Sequence, residues 1–211
     1  DPERSRANVR RFLREGYLLQ RLAHDGLPLC YEVLEEPRPA LVLELLEGCT
    51  LSERLSQSGP LPPDDVFAVA LAMLRVSGFL HHRGVIHRDI KSSNIFLCRD
   101  GRVMLMDLGL AMDPEDPFTT TLGDVMGTYA YMAPEQIAGA EVDPRSDLYS
   151  LGITLYEALC GRRPYSARGT AGYLRAHRAG GAQPLAERVR DAPIRLMDFI
   201  HQLMARDPSA R

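Results

Sequence analysis

A predicted β-hairpin is the feature that most constrains the fold of this 211-residue chain. Two short apolar runs, residues 95–98 and 103–106, flank the pair Asp100–Gly101. Such a pair between apolar runs is the strongest short-range signal for a tight hairpin turn. If this pair forms the turn, Asn94 lies across from Asp107 with both side chains on one face. The sequence therefore predicts an amide oxygen and a carboxylate side by side at the open end of the hairpin.

These two oxygen donors suit a magnesium ion that is also bound by phosphate groups. Mg²⁺ prefers hard oxygen ligands and is commonly held by one or two protein groups together with substrate phosphates. The stretch HRDIKSSN (His87–Asn94) leads into the first strand and supplies a further carboxylate, Asp89, that can act on something other than the metal. The alternative is an ordinary polar loop before a hairpin.

HRDIKSSN, followed at hairpin distance by Asp-Leu-Gly, resembles the catalytic sequences of the protein kinases, of the Ser/Thr type and the bacterial eukaryotic-like branch. The resemblance implies that Asp89 accepts the proton of the substrate hydroxyl and that Lys91 neutralises charge on the γ-phosphate of ATP. Asn94 and Asp107 would hold Mg²⁺. A Lys two residues after the Asp is the Ser/Thr-kinase form of this loop. Leu108 stands where the family more often has Phe, so the apolar plug beside Asp107 is smaller.

The beginning of the chain resembles part of the nucleotide-binding lobe of a kinase. Residues 8–22 have the apolar spacing of an amphipathic helix, and Glu15 shares its apolar stripe. Residues 29–34 and 40–46 are predicted to be strands, the second buried on both faces because it is almost continuously apolar. In the family Glu15 pairs with a strand lysine; the alternative is a solvated Glu at the edge of the stripe. The resemblance places nucleotide contacts at Leu43 (the gatekeeper), at the backbone of Glu44 and Leu46, and at Phe96.

Later segments are predicted to be mainly helical. Asp147 opens an apolar run that predicts a buried central helix over 147–159, and the resemblance implies that its carboxylate accepts backbone N–H groups of the catalytic loop. A helix is predicted over 64–82, and one of its faces carries Val66, Val69, Ala70, Met73, Ser77 and Leu80. The His81-His82 pair at its end is expected to be solvated. Further helices are predicted over 50–55, with Thr50 or Ser52 as the cap, and over 170–178 and 194–206.

The stretch after Asp107 resembles a kinase activation segment. We hypothesise that Thr119, Thr120 or Thr121 is a regulatory phosphorylation site whose added negative charge pairs with Arg88; the alternative is a plain Thr-rich loop. The resemblance places Thr128, in the Gly-Thr pair that positions the substrate, near Asp89 and Lys91. It also pairs Glu135 of the Ala-Pro-Glu motif with Arg211 in a buried ion pair.

The overall expectation is a mainly α (α+β) fold: a remnant of a kinase N-lobe with one helix and two strands over 1–46, and a C-lobe over 47–211. Net charge −3 gives no general attraction for nucleic acid, and no apolar run is long enough for a membrane helix. The four cysteines are far apart, which favours reduced thiols in the cytoplasm.

The predicted function is a Ser/Thr protein kinase that uses ATP and Mg²⁺ on protein substrates. A pseudokinase or kinase-fold scaffold that binds partners without catalysis is the alternative; a small-molecule kinase is disfavoured by the Gly-Thr and Ala-Pro-Glu motifs. No Gly-rich phosphate loop and no Val-Ala-Ile-Lys-type lysine occur in the sequence. We expect little or no activity from this segment in isolation.

Overall fold

The structure, a computed structural model, describes residues 2–111 and 128–211, with side chains described from residue 8 onward and not for Thr128. Seven α-helices and five β-strands lie in this part of the chain. The helices are α1 Pro2–Arg21, α2 Leu51–Ser58, α3 Pro63–His82, α4 Pro134–Ile137, α5 Pro144–Cys160, α6 Gly169–Ala179 and α7 Ile194–Leu203. The strands are β1 Cys30–Leu34, β2 Ala40–Leu43, β3 Gly48–Thr50, β4 Ile95–Cys98 and β5 Val103–Leu105.

Helix α5 forms the centre of the helical part, as its uniformly apolar sequence predicted. Nearly every residue from Ser146 to Leu159 is buried, and α3 and α7 both pack against it. Gly161 ends the helix in the left-handed conformation with φ 73°. The predicted apolar face of α3 is also confirmed, because its members are all buried: Val66, Val69, Ala70, Met73, Ser77 and Leu80. The predicted helix-rich fold is therefore correct.

The β4–β5 hairpin is present, but its predicted register was wrong by one residue. Ile95 pairs with Leu105, and the N–H of Cys98 donates to the carbonyl of Arg102 over 2.9 Å. The loop therefore has three residues, 99–101, and Gly101 adopts φ 90° at its end. A three-residue loop moves each pairing by one position relative to a two-residue turn.

As a result, Asn94 does not lie opposite Asp107. Its carbonyl accepts the N–H of Met106 over 2.8 Å, and Asp107 is the next residue along the chain. Asp107 then leaves the strand conformation with φ 63°. The alternation of side chains along a strand therefore does not decide which way Asp107 faces.

Strand β2 is not buried on both faces, contrary to the prediction, and it ends at Leu43 rather than at 46. Val42 is 40% exposed and Leu45, just beyond the strand, is 89% exposed. Within the described residues, β2 pairs only with β1, and α1 covers the sheet by a close approach at Gly16. A Cβ on Gly16 would lie 2.2 Å from Leu41 Cδ2. The apolar run thus predicted a strand correctly, but it did not predict how many faces of that strand are covered.

Strand β3 joins the hairpin as a third strand, and the sequence did not predict this strand. It pairs with β4, and its Gly48 lies so close to that strand that a Cβ would be 2.0 Å from Leu97 O. Thr50, at the end of β3, caps α2 and exchanges hydrogen bonds with Glu53, which confirms the predicted cap. This arrangement fixes the start of α2 against the strand that follows the catalytic loop.

Candidate active site

The Asp147 carboxylate holds the loop that begins with His87. Its Oδ2 accepts the backbone N–H of His87 over 2.9 Å and its Oδ1 accepts that of Arg88 over 2.8 Å. Oδ2 also lies 2.7 Å from Nε2 of His81. The expectation that His81 is solvated was therefore wrong, whereas His82 is exposed. His81 lies in the last turn of α3 and close to the start of α5, and the periodicity of the sequence does not show that these two helix ends meet.

Gln136 is a site residue that sequence reasoning missed. Its Nε2 donates to the carbonyl of Arg88 over 3.0 Å, and its Oε1 accepts the N–H of Ala133 over 3.1 Å. Arg88 has φ 68°, an uncommon conformation for a residue with a side chain. Asp147 on its N–H and Gln136 on its carbonyl thus hold this conformation from both sides. The available signal was that Gln136 follows directly after Ala-Pro-Glu at the start of a short helix.

Asp89, Lys91 and Asn94 converge around one carboxylate. Asp89 Oδ2 lies 2.7 Å from Lys91 Nζ and accepts from Asn94 Nδ2 over 3.1 Å. Asn94 Nδ2 also donates to the Asp89 carbonyl over 2.9 Å, so the backbone and side chain of Asp89 are held together. Asp89 Oδ1 is buried and has no hydrogen-bond partner among the described residues. Oδ2 of Asp89 is therefore held by Lys91 and Asn94, whereas Oδ1 accepts no hydrogen bond from the described residues.

His87 ties the catalytic loop to the strand that leads to Asp107. It is fully buried, its Nδ1 accepts the N–H of Asp89 over 3.2 Å, and its Nε2 lies 3.2 Å from the carbonyl of Met106. Because a carbonyl can only accept, Nε2 carries the proton and Nδ1 is the acceptor. Both ring nitrogens are used in holding backbone, which agrees with a structural role for His87 rather than acid–base chemistry.

Glu15 lies beside Asp107, which brings α1 to the site. Its Oε1 accepts the N–H of Leu108 over 3.2 Å, and Leu108 itself is buried in the hydrophobic core. Burial and, to a lesser extent, the negative charge of Asp107 raise the pKa of Glu15 to about 7, although the Leu108 N–H and Arg11 act in the opposite direction. A carboxyl group in such a position requires a cation to ionise readily. This environment fits the pairing with a lysine that the kinase resemblance implies.

The oxygen donors fit a magnesium ion that is shared with phosphates. In residues 2–111 and 128–211 there is no group of three or more His, Cys, Asp or Glu side chains that could hold a metal by itself. Asn94 and Asp107 come from adjacent positions at the hairpin end and supply one amide and one carboxylate. Two hard ligands with the remaining positions left to water and phosphate oxygens are what Mg²⁺ takes at nucleotide sites.

Of the predicted nucleotide contacts, Leu43 ends β2, Glu44 and Leu46 follow it, and Phe96 lies in β4. The Glu44 N–H donates to Leu29 O over 2.8 Å, so its carbonyl is the backbone group that can meet a nucleotide. The Glu44 side chain pairs with Arg102 over 2.8 Å and links this segment to the hairpin loop. Leu43 is 36% exposed, and Leu46 and Phe96 are half-buried. Their nucleotide-binding role stays a prediction.

The activation segment contributes one predicted ion pair to the described part of the chain. Thr119, Thr120, Thr121 and the Gly of the Gly-Thr pair lie outside the described residues, as does the side chain of Thr128. The ion pair predicted beyond them is present: Arg211 donates to Glu135 over 2.6 and 3.1 Å. Burial alone opposes ionisation of Glu135, but hydrogen bonds from Arg211 and Ser146 outweigh it and lower the pKa.

A family model for the protein kinase domain matches residues 1–211. The chain belongs to the protein kinase family. Serine/threonine-protein kinase PknL of Mycobacterium tuberculosis is 37% identical over 203 residues, which cover 95% of this chain and 51% of PknL. Serine/threonine-protein kinase PknB of Mycobacterium leprae is 32% identical over 207 residues, covering 95% of this chain and 33% of PknB.

Serine/threonine-protein kinase pkn2 of Myxococcus xanthus is 33% identical over 213 residues, covering 95% of this chain and 25% of that protein. The chain thus spans about half the length of PknL and a smaller share of the other two kinases. Among its described residues, no helix of this kinase domain has both the length and the apolar character needed to cross a membrane.

Proposed function

We propose that this kinase domain transfers the γ-phosphate of ATP to Ser and Thr hydroxyls of proteins. The observation that carries the proposal is the state of the Asp89 carboxylate. Lys91 and Asn94 fix one of its oxygens, and the buried other oxygen has no hydrogen-bond partner in the described part of the chain. A buried acceptor without a donor is rare and is costly unless a ligand supplies the donor. A substrate hydroxyl would supply that donor.

The transfer needs positioning and charge neutralisation more than covalent chemistry by the protein. Asp89 accepts the hydroxyl proton as the hydroxyl oxygen bonds to the γ-phosphorus and the bond from that phosphorus to the departing ADP oxygen breaks. Lys91, which is paired with Asp89, neutralises charge on the transferred group. When bound by Asn94 and Asp107, Mg²⁺ would neutralise phosphate charge. Glu15 would orient the strand lysine of the kinase family, a residue other than Lys91, which holds the phosphates of ATP that are not transferred.

The choice of Ser and Thr over Tyr has two supports. Lys91 stands two residues after Asp89, and this spacing resembles the Ser/Thr-kinase form of the loop. The relatives PknL, PknB and pkn2 each carry a name that states serine/threonine specificity. Neither support identifies the protein that is phosphorylated.

The proposal also covers partners and location. Its partners are ATP and proteins with accessible Ser or Thr residues, and neither nucleic acid nor a membrane surface is required for the reaction. We place the domain in the cytoplasm, because the reaction consumes ATP and the four cysteines, all within the described residues, are unpaired thiols. Regulation by phosphorylation of Thr119, Thr120 or Thr121 is part of the same hypothesis, as is the division into lobes at residue 46.

A phosphotransfer assay on the full-length protein with MgATP and separate Ser, Thr and Tyr peptide libraries tests the proposal. Asp89→Asn keeps the size of the side chain and removes the proton acceptor, so the turnover rate should fall about 10²- to 10⁴-fold. Asp64→Asn is the matched control, because Asp64 is an exposed carboxylate in the first turn of α3, and its rate should equal that of the wild type.

Equal rates for the wild type and Asp89→Asn would refute the proposed role of Asp89. A wild type that binds ATP but transfers no phosphate to any Ser, Thr or Tyr peptide would instead support the pseudokinase alternative. Transfer to Tyr peptides alone would contradict the assigned specificity.

A further inference from the structure

His177 of α6 is a buried histidine that lies away from the site described above. It is 1% exposed, and both of its ring nitrogens have partners. Nε2 lies 3.1 Å from the carbonyl oxygen of Tyr129, and Nδ1 lies 2.7 Å from the hydroxyl of Tyr149 in α5. The ring thus joins α5 and α6 to the backbone just after the Gly-Thr pair.

The two partners fix the chemical state of this imidazole. The Tyr129 carbonyl can only accept, so Nε2 carries a proton and donates it. In the neutral ring Nδ1 then has no proton and accepts the hydroxyl of Tyr149. Burial lowers the pKa of His177 to about 4, against the opposing hydrogen bond to Tyr129. The neutral Nε2–H form is therefore the one present near neutral pH.

Three tyrosine rings of the described residues surround His177. Ring centroids lie 4.7 Å away for Tyr165, 5.6 Å for Tyr149 and 6.1 Å for Tyr173. The guanidinium group of Arg211 lies over the ring of Tyr149, 4.8 Å from its centroid. Such an enclosure leaves the imidazole little freedom to turn away from the Tyr129 carbonyl.

The segment whose backbone His177 holds also contacts the catalytic loop through the side chain of Tyr131. Tyr131, two residues after Tyr129, donates its hydroxyl to Glu157 Oε2 over 2.7 Å and lies 3.0 Å from Ser92 Oγ. Ser92 is buried and follows Lys91. The segment is thus fixed at two points, by His177 at its backbone and by Ser92 and Glu157 at the Tyr131 side chain. A shift at Tyr129 would move Tyr131 against the residue next to Lys91.

We propose that His177 is a positioning residue for the protein substrate: its Nε2–H holds the Tyr129 carbonyl and so fixes the backbone just after the Gly-Thr pair, to which the kinase resemblance gives the role of positioning the substrate. The inference rests on the proposed function. It assigns His177 no contact with ATP, so the residue should affect the Michaelis constant for the peptide and not the one for the nucleotide.

Two amide variants separate the two hydrogen bonds of the ring. The amide of His177→Gln reaches as far as Nε2 and can donate to Tyr129. The amide of His177→Asn reaches only as far as Nδ1, so it keeps an acceptor for Tyr149 and loses the Tyr129 bond. In the full-length kinase, His177→Asn should raise the peptide KM about three- to tenfold, as expected for one lost hydrogen bond, with the ATP KM unchanged. His177→Gln should restore most of the loss.

Equal peptide KM values in the wild type and both variants, whatever their melting temperatures, would overturn the proposal and leave His177 a purely structural residue. Equal losses in both variants would also overturn it, because the Tyr129 bond would then not be the cause. Amide hydrogen exchange over residues 129–133 is the readout that needs no phosphotransfer. It should be faster in His177→Asn only, and unchanged exchange would count against the proposal even if the wild type proved inactive.

Discussion

At the scale of single residues, the site depends on two backbone conformations that the sequence does not predict. Arg88 and Asp107 both have positive φ, although neither is glycine. Such conformations cost about 1–3 kcal/mol each and persist only where the surroundings hold them. Arg88 is held through Asp147 and Gln136. Asp147 and Gln136 therefore support the site by holding the Arg88 backbone in this conformation.

Gln136→Glu tests this support. The substitution keeps an oxygen for Ala133 but replaces the donor to the Arg88 carbonyl with a second acceptor. It should lower the free energy of unfolding by about 1–3 kcal/mol, since a buried acceptor loses its partner. Urea unfolding measures the change. Gln202→Glu on the exposed side of α7 is the control, and an equally small effect in both would show that Gln136 holds nothing.

At the scale of elements, α5 and the end of α7 pack closely together at Gly152. A Cβ on Gly152 would lie 2.8 Å from Leu203 Cβ and 2.9 Å from Met204 Cγ. In α3, by contrast, a Cβ on Gly78 would meet nothing within 4 Å. Both glycines are inside helices, where alanine is intrinsically the better residue by about 1 kcal/mol. The two sites thus differ in packing and not in propensity.

Replacing each of these glycines with alanine should change stability in opposite directions. Gly78→Ala should raise the free energy of unfolding by about 0.5–1 kcal/mol, because only the propensity changes. Gly152→Ala should lower it by about 1–3 kcal/mol, because the new methyl group forces α5 and α7 apart. Thermal unfolding of the two variants beside the wild type decides this. Stabilisation by both would mean that the α5–α7 contact yields without strain.

At the scale of the whole molecule, the ion pair of Glu135 and Arg211 joins distant parts of the chain. Arg211 also donates to the carbonyls of Arg145 and Ala205, so it connects α4 with the start of α5 and the end of α7. The Arg211 side chain is fully buried. Removing one partner of a buried pair leaves an uncompensated charge.

Arg211→Gln should therefore lower the free energy of unfolding by about 3–5 kcal/mol, as found when a buried pair is broken. Arg99→Gln is the matched control. Arg99 pairs with Glu47 at the surface, where an ion pair contributes about 0–1 kcal/mol. Denaturant unfolding compares the two; a loss of less than about 1 kcal/mol in Arg211→Gln would contradict the structural role of the pair.

The stability of the molecule should also depend on the protonation of His177. Its pKa lies at about 4 in the folded chain against 6.5 ordinarily, so between these values the unfolded chain binds the proton and the folded chain does not. Stability contributed by the neutral ring is complete above about 6.5 and falls as the pH drops towards 4. The wild type should lose about 2 kcal/mol more than His177→Gln between about pH 7 and about pH 5. Parallel losses in urea unfolding at the two pH values would contradict this.

Prediction from the sequence succeeded where the signal is local. The apolar face of α3, the uniformly apolar run of α5, the cap at Thr50 and the Asp-Gly hairpin each depend on residues close together in the chain, and the structure confirms them. It failed where a distant segment decides: the exposure of β2, the pairing of β3 with β4, and the contact of His81 with Asp147. The hairpin register failed because a two-residue and a three-residue loop place the same Asp-Gly pair differently.

By itself, the sequence determined the helix-rich fold and indicated Asp89, Lys91, Asn94 and Asp107 as candidate site residues, because motifs and periodicity depend on residue type and spacing. Only the tertiary structure decided which oxygen of Asp89 is held and which has no donor, how Gln136 and Asp147 support Arg88, and that His177 reaches the Tyr129 carbonyl. These contacts join residues many positions apart. Their energies depend on distance, angle and burial, and a linear chain specifies those quantities only once it has folded.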